Sequence, residues 1–305
     1  MKALITGSQG FVGRYLRGEL AQHGYEVVGV DLQPGEGTIQ ADLMDAEGIR
    51  AILRRERPDT VFHLSAQADV GRSWKEPALT MQLNVVAAVN LLEAVRLEHP
   101  AARLVMVGSS DQYGRLGAAG ARVTEEMELQ PASPYAVSKR AQEEMARLYA
   151  GSYGLHICMT RSFNHGGAGQ RLGFMIPDFA HGIVQIERGR ARELLVGNLS
   201  ARRDFSHVKD VARAYRLIAE RGTSGQVYNV GSGETHSAQE VLELLRGMAK
   251  CDVPVRQDPA RMRPSDTPVI CCDHGKLTRD TGWEPELGIR QILADTLAYY
   301  RGLES

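Results

Sequence analysis

The amino-acid sequence predicts an α/β fold built on a doubly wound parallel sheet, followed by a smaller C-terminal α/β lobe. Short apolar runs alternate with helical patterns through the first half of the chain, and a glycine-rich turn joins the first run to the first helix. The 305 residues suffice for one large domain or two ordinary ones. Short buried strands between helices are typical of a parallel sheet covered on both faces.

The spacing of apolar residues gives the elements in order. Strand-like runs cover 2–6, 26–31, 60–66, 103–110, 156–163 and 225–233. Helical spacing covers 11–24, 49–57, 85–99, 135–154 and 237–249, with Ser237 as an N-cap, and another helix opens within 172–180. The alternation becomes irregular after about residue 165. We therefore expect one domain over 1–165 and a lobe over 166–305, with segments near 206–230 returning to the first domain.

Composition and charge exclude several classes of protein. The net charge is −1, so no overall field favours binding to nucleic acid or to a membrane surface. The N-terminal run is too short for a signal peptide, and no run is expected to approach membrane-spanning length. The four cysteines, Cys158, Cys251, Cys271 and Cys272, form neither a C-x-x-C pair nor a metal-ligand spacing. Reduced thiols, a cytoplasmic location and no metal are expected.

Three glycines in "GSQGFVG" form a G-x-x-G-x-x-G pattern between a strand and a helix. They allow a tight turn, close approach to a pyrophosphate and close packing of helix on sheet, as in Rossmann-like dinucleotide-binding domains. A tight turn without a ligand has the same glycines, so the strand–turn–helix context carries the prediction. The cofactor contacts predicted from this turn are Gly7, Gln9, Gly10, Phe11, Val12 and Gly13. Residues 1–165 are thus predicted to bind a dinucleotide, and 166–305 mainly the substrate.

Asp31 ends the second strand, where a carboxylate can accept hydrogen bonds from a ribose diol and repel a 2′-phosphate. This carboxylate favours NAD as the cofactor, with NADP as the alternative. An aspartate that only caps a helix or lies in a loop would give the same sequence pattern. Asp42 follows a third strand and is expected near the adenine. The remaining predicted cofactor contacts are Leu43, Leu64, Ala66, Tyr135, Lys139 and Ser162.

Tyr135 and Lys139 lie four residues apart at the start of a predicted helix, and Ser109 ends the strand before it. Residues i and i+4 share a helix face, so these groups can converge over a nicotinamide. A neighbouring ammonium and the oxidised ring would lower the pKa of a phenol, whose ordinary value is about 10, toward neutrality. The alternative is a packing tyrosine beside a solvated lysine, and the glycine turn and the serine argue against it.

Motifs along nearly the whole chain resemble an extended short-chain dehydrogenase/reductase that acts on nucleotide sugars. They include "TGSQGFVG", "HLSAQADV", "GSSDQYG", "SPYAVSK", "RSFNHGGAGQ", "GNLSARRDF" and "RPSDTPVICCDHGKLTRDTGWEP". Three of them, "FNH", "GNL…RDF" and "RPS…GWEP", are similar to the GDP-mannose branch, which contains a 4,6-dehydratase and a C4 reductase. The resemblance implies Ser109, Asp111, Tyr135 and Lys139 as catalytic residues.

The resemblance implies one of two reactions on a GDP-sugar. A dehydratase needs a carboxylic acid/base, and Asp111 stands where the dehydratase has a longer glutamate. Ser109 matches the reductase, and the chain lacks the dehydratase's long loop after the second strand. We expect NAD(P)H-dependent reduction of the C4 ketone of a GDP-4-dehydro-6-deoxy-hexose. GDP-mannose 4,6-dehydration, or epimerisation or reduction of another nucleotide sugar, remains open.

The resemblance also implies how the GDP-sugar and a second subunit are bound. Substrate contacts are expected from Ser110, Asn164, Phe174, Asn198, Arg203 and Arg263, although any single arginine could be a surface charge. His165 and His207 are expected to be structural. Relatives in this family often dimerise through a four-helix bundle, so a homodimer through helices 85–99 and 135–153 is expected.

Overall fold

The computed structural model describes residues 1–114, 122–261 and 270–303. The strands are β1 (Lys2–Thr6), β2 (Glu26–Asp31), β3 (Thr38–Gln40), β4 (Thr60–His63), β5 (Arg103–Ser109), β6 (Arg122–Val123), β7 (Ile157–Ser162), β8 (Asn164–Gly166), β9 (Leu194–Val196), β10 (Arg202–His207), β11 (Val227–Val230), β12 (Thr235–Ser237), β13 (Val255–Gln257) and β14 (Cys271–Cys272). The helices are α1 (Phe11–Gln22), α2 (Ala46–Glu56), α3 (Val70–Lys75), α4 (Pro77–Met81), α5 (Ala87–Glu98), α6 (Pro134–Tyr153), α7 (Met175–Glu187), α8 (Val208–Arg221), α9 (Ala238–Arg246), α10 (Gly275–Thr281) and α11 (Ile289–Leu303).

Seven parallel strands form the central sheet in the order β11-β7-β5-β4-β1-β2-β3. The chain runs outward from β1 to β3, then returns to β4 on the other side of β1. This reversal leaves a crevice at the carboxyl ends of β1 and β4, which is where ligands bind in open α/β sheets. The predicted α/β class with a parallel, doubly wound sheet is confirmed.

Alternation along the strands supplies a hydrophobic core to each face of the sheet. Leu4 packs into one core with residues of α2 and α5, while Ile5, its neighbour, packs into the other with residues of α1 and α8. Successive side chains of a strand point to opposite faces, so strands covered on both sides need continuous apolar runs. This is why the central strands could be recognised in the sequence.

Several predicted boundaries differ from the structure. The helix predicted over 85–99 begins earlier: α4 continues through a π-helical turn, Gln82–Val86, into α5. The helix predicted from 49 begins at Ala46, because the Asp45 side chain accepts a hydrogen bond from the Gly48 N–H and caps it. The strand expected before Asp42 is β3, which at three residues is too short to stand out as an apolar run.

The stretch Pro77–Glu98 is 22 residues long and apolar enough to cross a membrane by length and composition. The expectation that no run approaches that length is therefore wrong. The stretch nevertheless packs within the helical layer on the sheet, where Leu91, Leu92 and Val95 are fully buried. Buried helices of α/β proteins have this composition as well, and we interpret it as a core helix.

The second half of the chain contributes to both lobes. Strand β11 pairs with β7 in the central sheet, and α8 packs against α1. A separate core lies among α7, α9 and α11. The predicted cap of α9 is present as a capping box: the Glu240 N–H donates to Ser237 Oγ at 3.0 Å, and the Ser237 N–H donates to Glu240 Oε2 at 3.1 Å. The division at residue 165 remains a prediction.

Candidate active site

The glycine turn lies between β1 and α1 and requires its glycines. Gly7 has φ of +72°, and a Cβ there would lie 2.8 Å from the Ser65 backbone nitrogen. A Cβ on Gly13 would lie 2.3 Å from the Gly7 carbonyl oxygen. Gly10 is the N-cap of α1 and has no side chain to cap it, so N–H groups of the first turn are left for a ligand. The turn therefore fits the pyrophosphate of a dinucleotide at a helix N-terminus.

Asp31 links the end of β2 to the glycine turn. Its carboxylate accepts hydrogen bonds from the Gln9 N–H at 2.9 Å and from the Gln33 N–H at 3.0 Å. The Gln9 side chain donates to Thr38 Oγ1 at 2.7 Å, which ties the same turn to β3. Asp31 thus holds the turn in place while lining the adjoining cavity.

A cavity of about 250 Å³ lies beside Asp31 at the carboxyl edge of the sheet. Four residues predicted to contact the cofactor line this cavity: Asp31, Asp42, Leu43 and Ala66. It is also lined by residues that were not predicted, including Gln67, Arg72 and Arg171. Asp42 accepts from the Met44 N–H at 2.9 Å, so its carboxylate shapes the wall of the cavity. The size and lining fit an adenosine with its ribose.

The other predicted cofactor residues surround the same edge. Leu64 donates its N–H to the Thr6 carbonyl at 3.1 Å directly beneath Gly7. Phe11 stacks on His165 with ring centroids 6.1 Å apart, while Val12 packs on the core. Ser162 ends β7 opposite Ser109, and its hydroxyl shares a 2.7 Å hydrogen bond with Tyr215.

Ser109, Tyr135 and Asp111 come together between the end of β5 and the start of α6. Ser133 caps α6 by accepting from the Ala136 N–H at 3.1 Å, which sets the direction from which Tyr135 enters the site. The Asp111 N–H donates to Ser109 Oγ at 3.2 Å. Tyr135 is buried, and its hydroxyl lies close enough to Ser109 and Asp111 for both to shift its pKa. The structure therefore assembles the predicted serine, tyrosine and carboxylate in one site.

The protein by itself does not make the Tyr135 phenol acidic. Burial raises the pKa of Tyr135 above its ordinary value, and the negative charge of Asp111 raises it further, while the hydrogen bond with Ser109 lowers it. The expected lowering by Lys139 is not found, and Lys139 Nζ donates to the Val107 carbonyl at 2.9 Å and to Gln142 Oε1 at 3.0 Å. The polypeptide therefore holds Tyr135 in its neutral, proton-donating form.

Asp111 is a half-buried carboxylate next to a cation. Burial raises the pKa of Asp111, and the positive charge of Arg203 opposes that shift. Arg203 lies on β10 and donates to the Arg202 carbonyl at 2.7 Å. The predicted substrate contact Arg203 and the predicted acid Asp111 are thus close enough to interact.

The remaining predicted substrate residues are more dispersed. Ser110 is buried in the turn beside Asp111, and Asn164 is exposed at the start of β8. Phe174 precedes α7, with the Arg171 guanidinium 5.8 Å from its ring centre. Asn198 accepts hydrogen bonds from the Ser200 N–H and hydroxyl. Arg263 lies outside the described residues.

A buried polar network under the site was missed by sequence reasoning. Arg161 on β7 donates to both oxygens of Glu143 on α6 at 3.0 and 2.7 Å, and to the Tyr113 hydroxyl at 3.0 Å. Tyr113 in turn donates to Asn229 on β11 at 2.7 Å. The signal in the sequence is a Glu four residues after Lys139, on the same helix face. The network joins the Asp111 turn to the helix that carries Tyr135.

The two histidines expected to be structural contact other protein groups, and the four cysteines are free thiols. His207 accepts from the Lys209 N–H at 3.1 Å and contacts Asp295 at 3.1 Å, and His165 contacts the Phe163 carbonyl at 3.0 Å. Cys158, Cys271 and Cys272 are buried free thiols, and Cys251 is an exposed one. Within residues 1–114, 122–261 and 270–303, no three His, Cys, Asp or Glu side chains are grouped to hold a metal.

Comparison with known proteins agrees with this geometry. A family model described as GDP-mannose 4,6 dehydratase matches residues 4–296. A GDP-6-deoxy-D-mannose reductase of Pseudomonas aeruginosa is 34% identical over 97% of this chain and 96% of its own. A structure of RMD from Pseudomonas aeruginosa complexed with NADPH superposes with a TM-score of 0.91 at 32% identity, over 99% of both chains. The UDP-glucose 4-epimerase of Thermus thermophilus complexed with NAD gives 0.89 at 30% identity, also over 99% of both.

These matches extend over nearly the whole chain and include both lobes of the structure. They confirm the resemblance inferred from the motifs. The chain belongs to the GDP-mannose 4,6-dehydratase family of extended short-chain dehydrogenases/reductases.

Proposed function

We propose that this protein is an NAD(P)H-dependent reductase of the C4 ketone of a GDP-4-dehydro-6-deoxy-hexose. The observation that carries the proposal is the neutral Tyr135 beside Ser109, at the edge of a sheet whose glycine turn fits a dinucleotide. The similarity to the GDP-6-deoxy-D-mannose reductase supports the substrate. When bound, the reduced nicotinamide supplies the hydride for C4.

The protein's own groups bind the ketone and supply the proton. Ser109 is proposed to donate a hydrogen bond to the C4 oxygen and hold it within reach of Tyr135. The Tyr135 hydroxyl then donates its proton to that oxygen as negative charge develops there. Lys139 is proposed to stabilise the phenolate that remains. Arg203 and Arg263 are proposed to bind the diphosphate of the substrate.

A second candidate, GDP-mannose 4,6-dehydratase, is favoured by one observation. Burial raises the pKa of Asp111, which lies beside Tyr135, as expected for a carboxyl that exchanges a proton with a sugar. Against it, the connection between β2 and β3 spans only residues 32–37 and provides no long loop. The reductase accordingly remains the proposal.

Two incubations distinguish the candidates. A reductase consumes NADH or NADPH when it is given GDP-4-dehydro-6-deoxy-D-mannose, and yields a 6-deoxyhexose product by mass spectrometry. A dehydratase converts GDP-mannose to the 4-keto sugar without added reductant. Conversion of GDP-mannose with no consumption of reduced cofactor on the keto sugar would overturn the reductase proposal.

We also propose a homodimer in the cytoplasm. Val86, Val137 and Leu148 are exposed apolar side chains on the neighbouring helices predicted for a four-helix bundle. Exposed apolar patches are a common sign of a protein interface. The free thiols suit a reducing compartment.

A further inference from the structure

The Lys139 ammonium is held by two amide oxygens. Its Nζ donates to the Val107 carbonyl on β5 at 2.9 Å and to Gln142 Oε1 at 3.0 Å. Gln142 Nε2 donates to the same Val107 carbonyl at 3.3 Å, so the three groups close a triangle. Lys139 and Gln142 are 4% and 1% exposed, which leaves little room for water to replace either contact.

Burial makes the charge state of Lys139 depend on the groups that contact its ammonium. Desolvation lowers the pKa of Lys139 to about 7, so the lysine is only partly charged near neutrality. Within the described residues no salt bridge to Lys139 is present. Tyr135 and Glu143 lie one turn before and one turn after Lys139 on α6, and Glu143 is paired with Arg147 and Arg161. From β4, His63 faces the same region, and burial and then Lys139 lower its pKa to about 3, which keeps it neutral.

Amide oxygens are therefore the groups that favour the charged form of Lys139. A hydrogen bond to the charged form of a group favours that form, and charge-assisted bonds are stronger than neutral ones. The Val107 carbonyl belongs to the backbone and is present whatever the side chain at 107. The second acceptor depends on the residue at 142, which can be changed.

We propose that Gln142 is a positioning residue, whose side-chain carbonyl holds the Lys139 ammonium against β5 and keeps it charged below Tyr135. The proposal rests on the proposed role of Lys139 in the reaction. Gln142 lies two turns along α6 from Tyr135, and its side chain contacts Lys139 and the Val107 carbonyl, so it acts through Lys139.

Two nearly isosteric variants test the proposal in opposite directions. Gln142→Met removes the acceptor and should lower the pKa of Lys139, whereas Gln142→Glu adds a carboxylate and should raise it by about one unit or more. The titration of Lys139 is read by NMR of protein labelled with ¹³C at lysine Cε, with the signal assigned by Lys139→Met. Gln239→Met and Gln239→Glu, on the exposed face of α9, are matched controls.

The pH dependence of kcat/KM for ketone reduction is the second readout. A reaction that needs the Lys139 ammonium loses kcat/KM as pH rises through the pKa of Lys139. This falling limb of the pH profile should move to lower pH in Gln142→Met and to higher pH in Gln142→Glu. A merely structural role would reduce activity without moving the limb.

The outcomes separate this proposal from the proposed function. Opposite shifts of the Lys139 titration support the positioning role even when no ketone is reduced, in which case the proposed function fails by itself. An unchanged midpoint in both Gln142 variants, with normal turnover by the wild type, overturns the positioning role and leaves the reductase proposal in place.

Discussion

Tyr135 is buried at the N-terminal end of α6, and its surroundings keep the phenol protonated. The Tyr135→Phe variant should reduce ketone turnover by roughly 10²- to 10⁴-fold, the usual contribution of a general acid. Binding of the reduced cofactor, measured by fluorescence, should be largely unchanged because the ring remains. Tyr153→Phe, near the exposed end of the same helix, serves as the control. Full turnover in Tyr135→Phe would remove the proposed acid.

Asp31 has two roles, and a substitution that removes both does not show which one affects cofactor binding. Its carboxylate accepts from the Gln9 N–H, and it is also proposed to bind the adenosine ribose. Asp31→Asn keeps one acceptor oxygen for the Gln9 N–H, while it removes the charge and the acceptor for the Gln33 N–H. We expect Asp31→Asn to shift the ratio of NAD to NADP affinity toward NADP by about tenfold, the equivalent of about 1.4 kcal/mol.

Binding of both cofactors should be measured by titration calorimetry. Asp31→Ala also removes the acceptor for the glycine turn and should weaken NAD more than NADP. Equal losses for the two cofactors in both variants would contradict a role for Asp31 in choosing between them.

At the scale of elements, the Arg161–Glu143 pair joins α6 to β7. Burial raises the pKa of Glu143, but hydrogen bonds from Arg161 and the charges of Arg161 and Arg147 outweigh it, so the pKa is lowered overall. Glu143→Gln leaves the Arg161 guanidinium buried without its carboxylate and should cost about 3–5 kcal/mol of unfolding free energy. Arg147→Gln, which removes only the exposed partner, should cost under about 1 kcal/mol. Urea denaturation measures both.

The same pair predicts a pH dependence of stability. A carboxyl whose pKa is lowered by folding contributes stability that is present above its unfolded pKa, about 4.3 for glutamate, and lost as pH falls through the lowered value. The wild type should therefore lose its stability advantage over Glu143→Gln as pH is lowered from 5 toward about 3. A constant difference over that range would show that the Glu143 charge does not stabilise the fold.

At the scale of the whole molecule, the proposed interface includes exposed side chains of α6 and of the π-helical turn that precedes α5. Val86 and Leu148 are 44% and 55% exposed. The double variant Val86→Glu/Leu148→Glu places four like charges in the proposed dimer, so it should be monomeric by light scattering where the wild type is dimeric. Leu303→Glu, at the exposed end of α11, should remain dimeric. A monomeric wild type would contradict the proposed bundle.

The sequence alone determined the parallel sheet, the glycine turn and the positions of Ser109, Tyr135 and Lys139. Strands buried on both faces need continuous apolar runs, and a pyrophosphate turn needs glycine at set spacings, so local chemistry reveals both. A helical spacing of four also placed Lys139 one turn from Tyr135 without any tertiary information.

Only the tertiary structure decided where the Lys139 ammonium points and which buried polar network lies under the site. Its contact with Val107, like the contact of Arg161 with Glu143, joins residues from different elements that are distant in the sequence. The raised pKa of Tyr135 likewise depends on how many groups bury the phenol. Spacing along one chain carries no information about desolvation or about contacts between elements, and these decide the ionisation of the site.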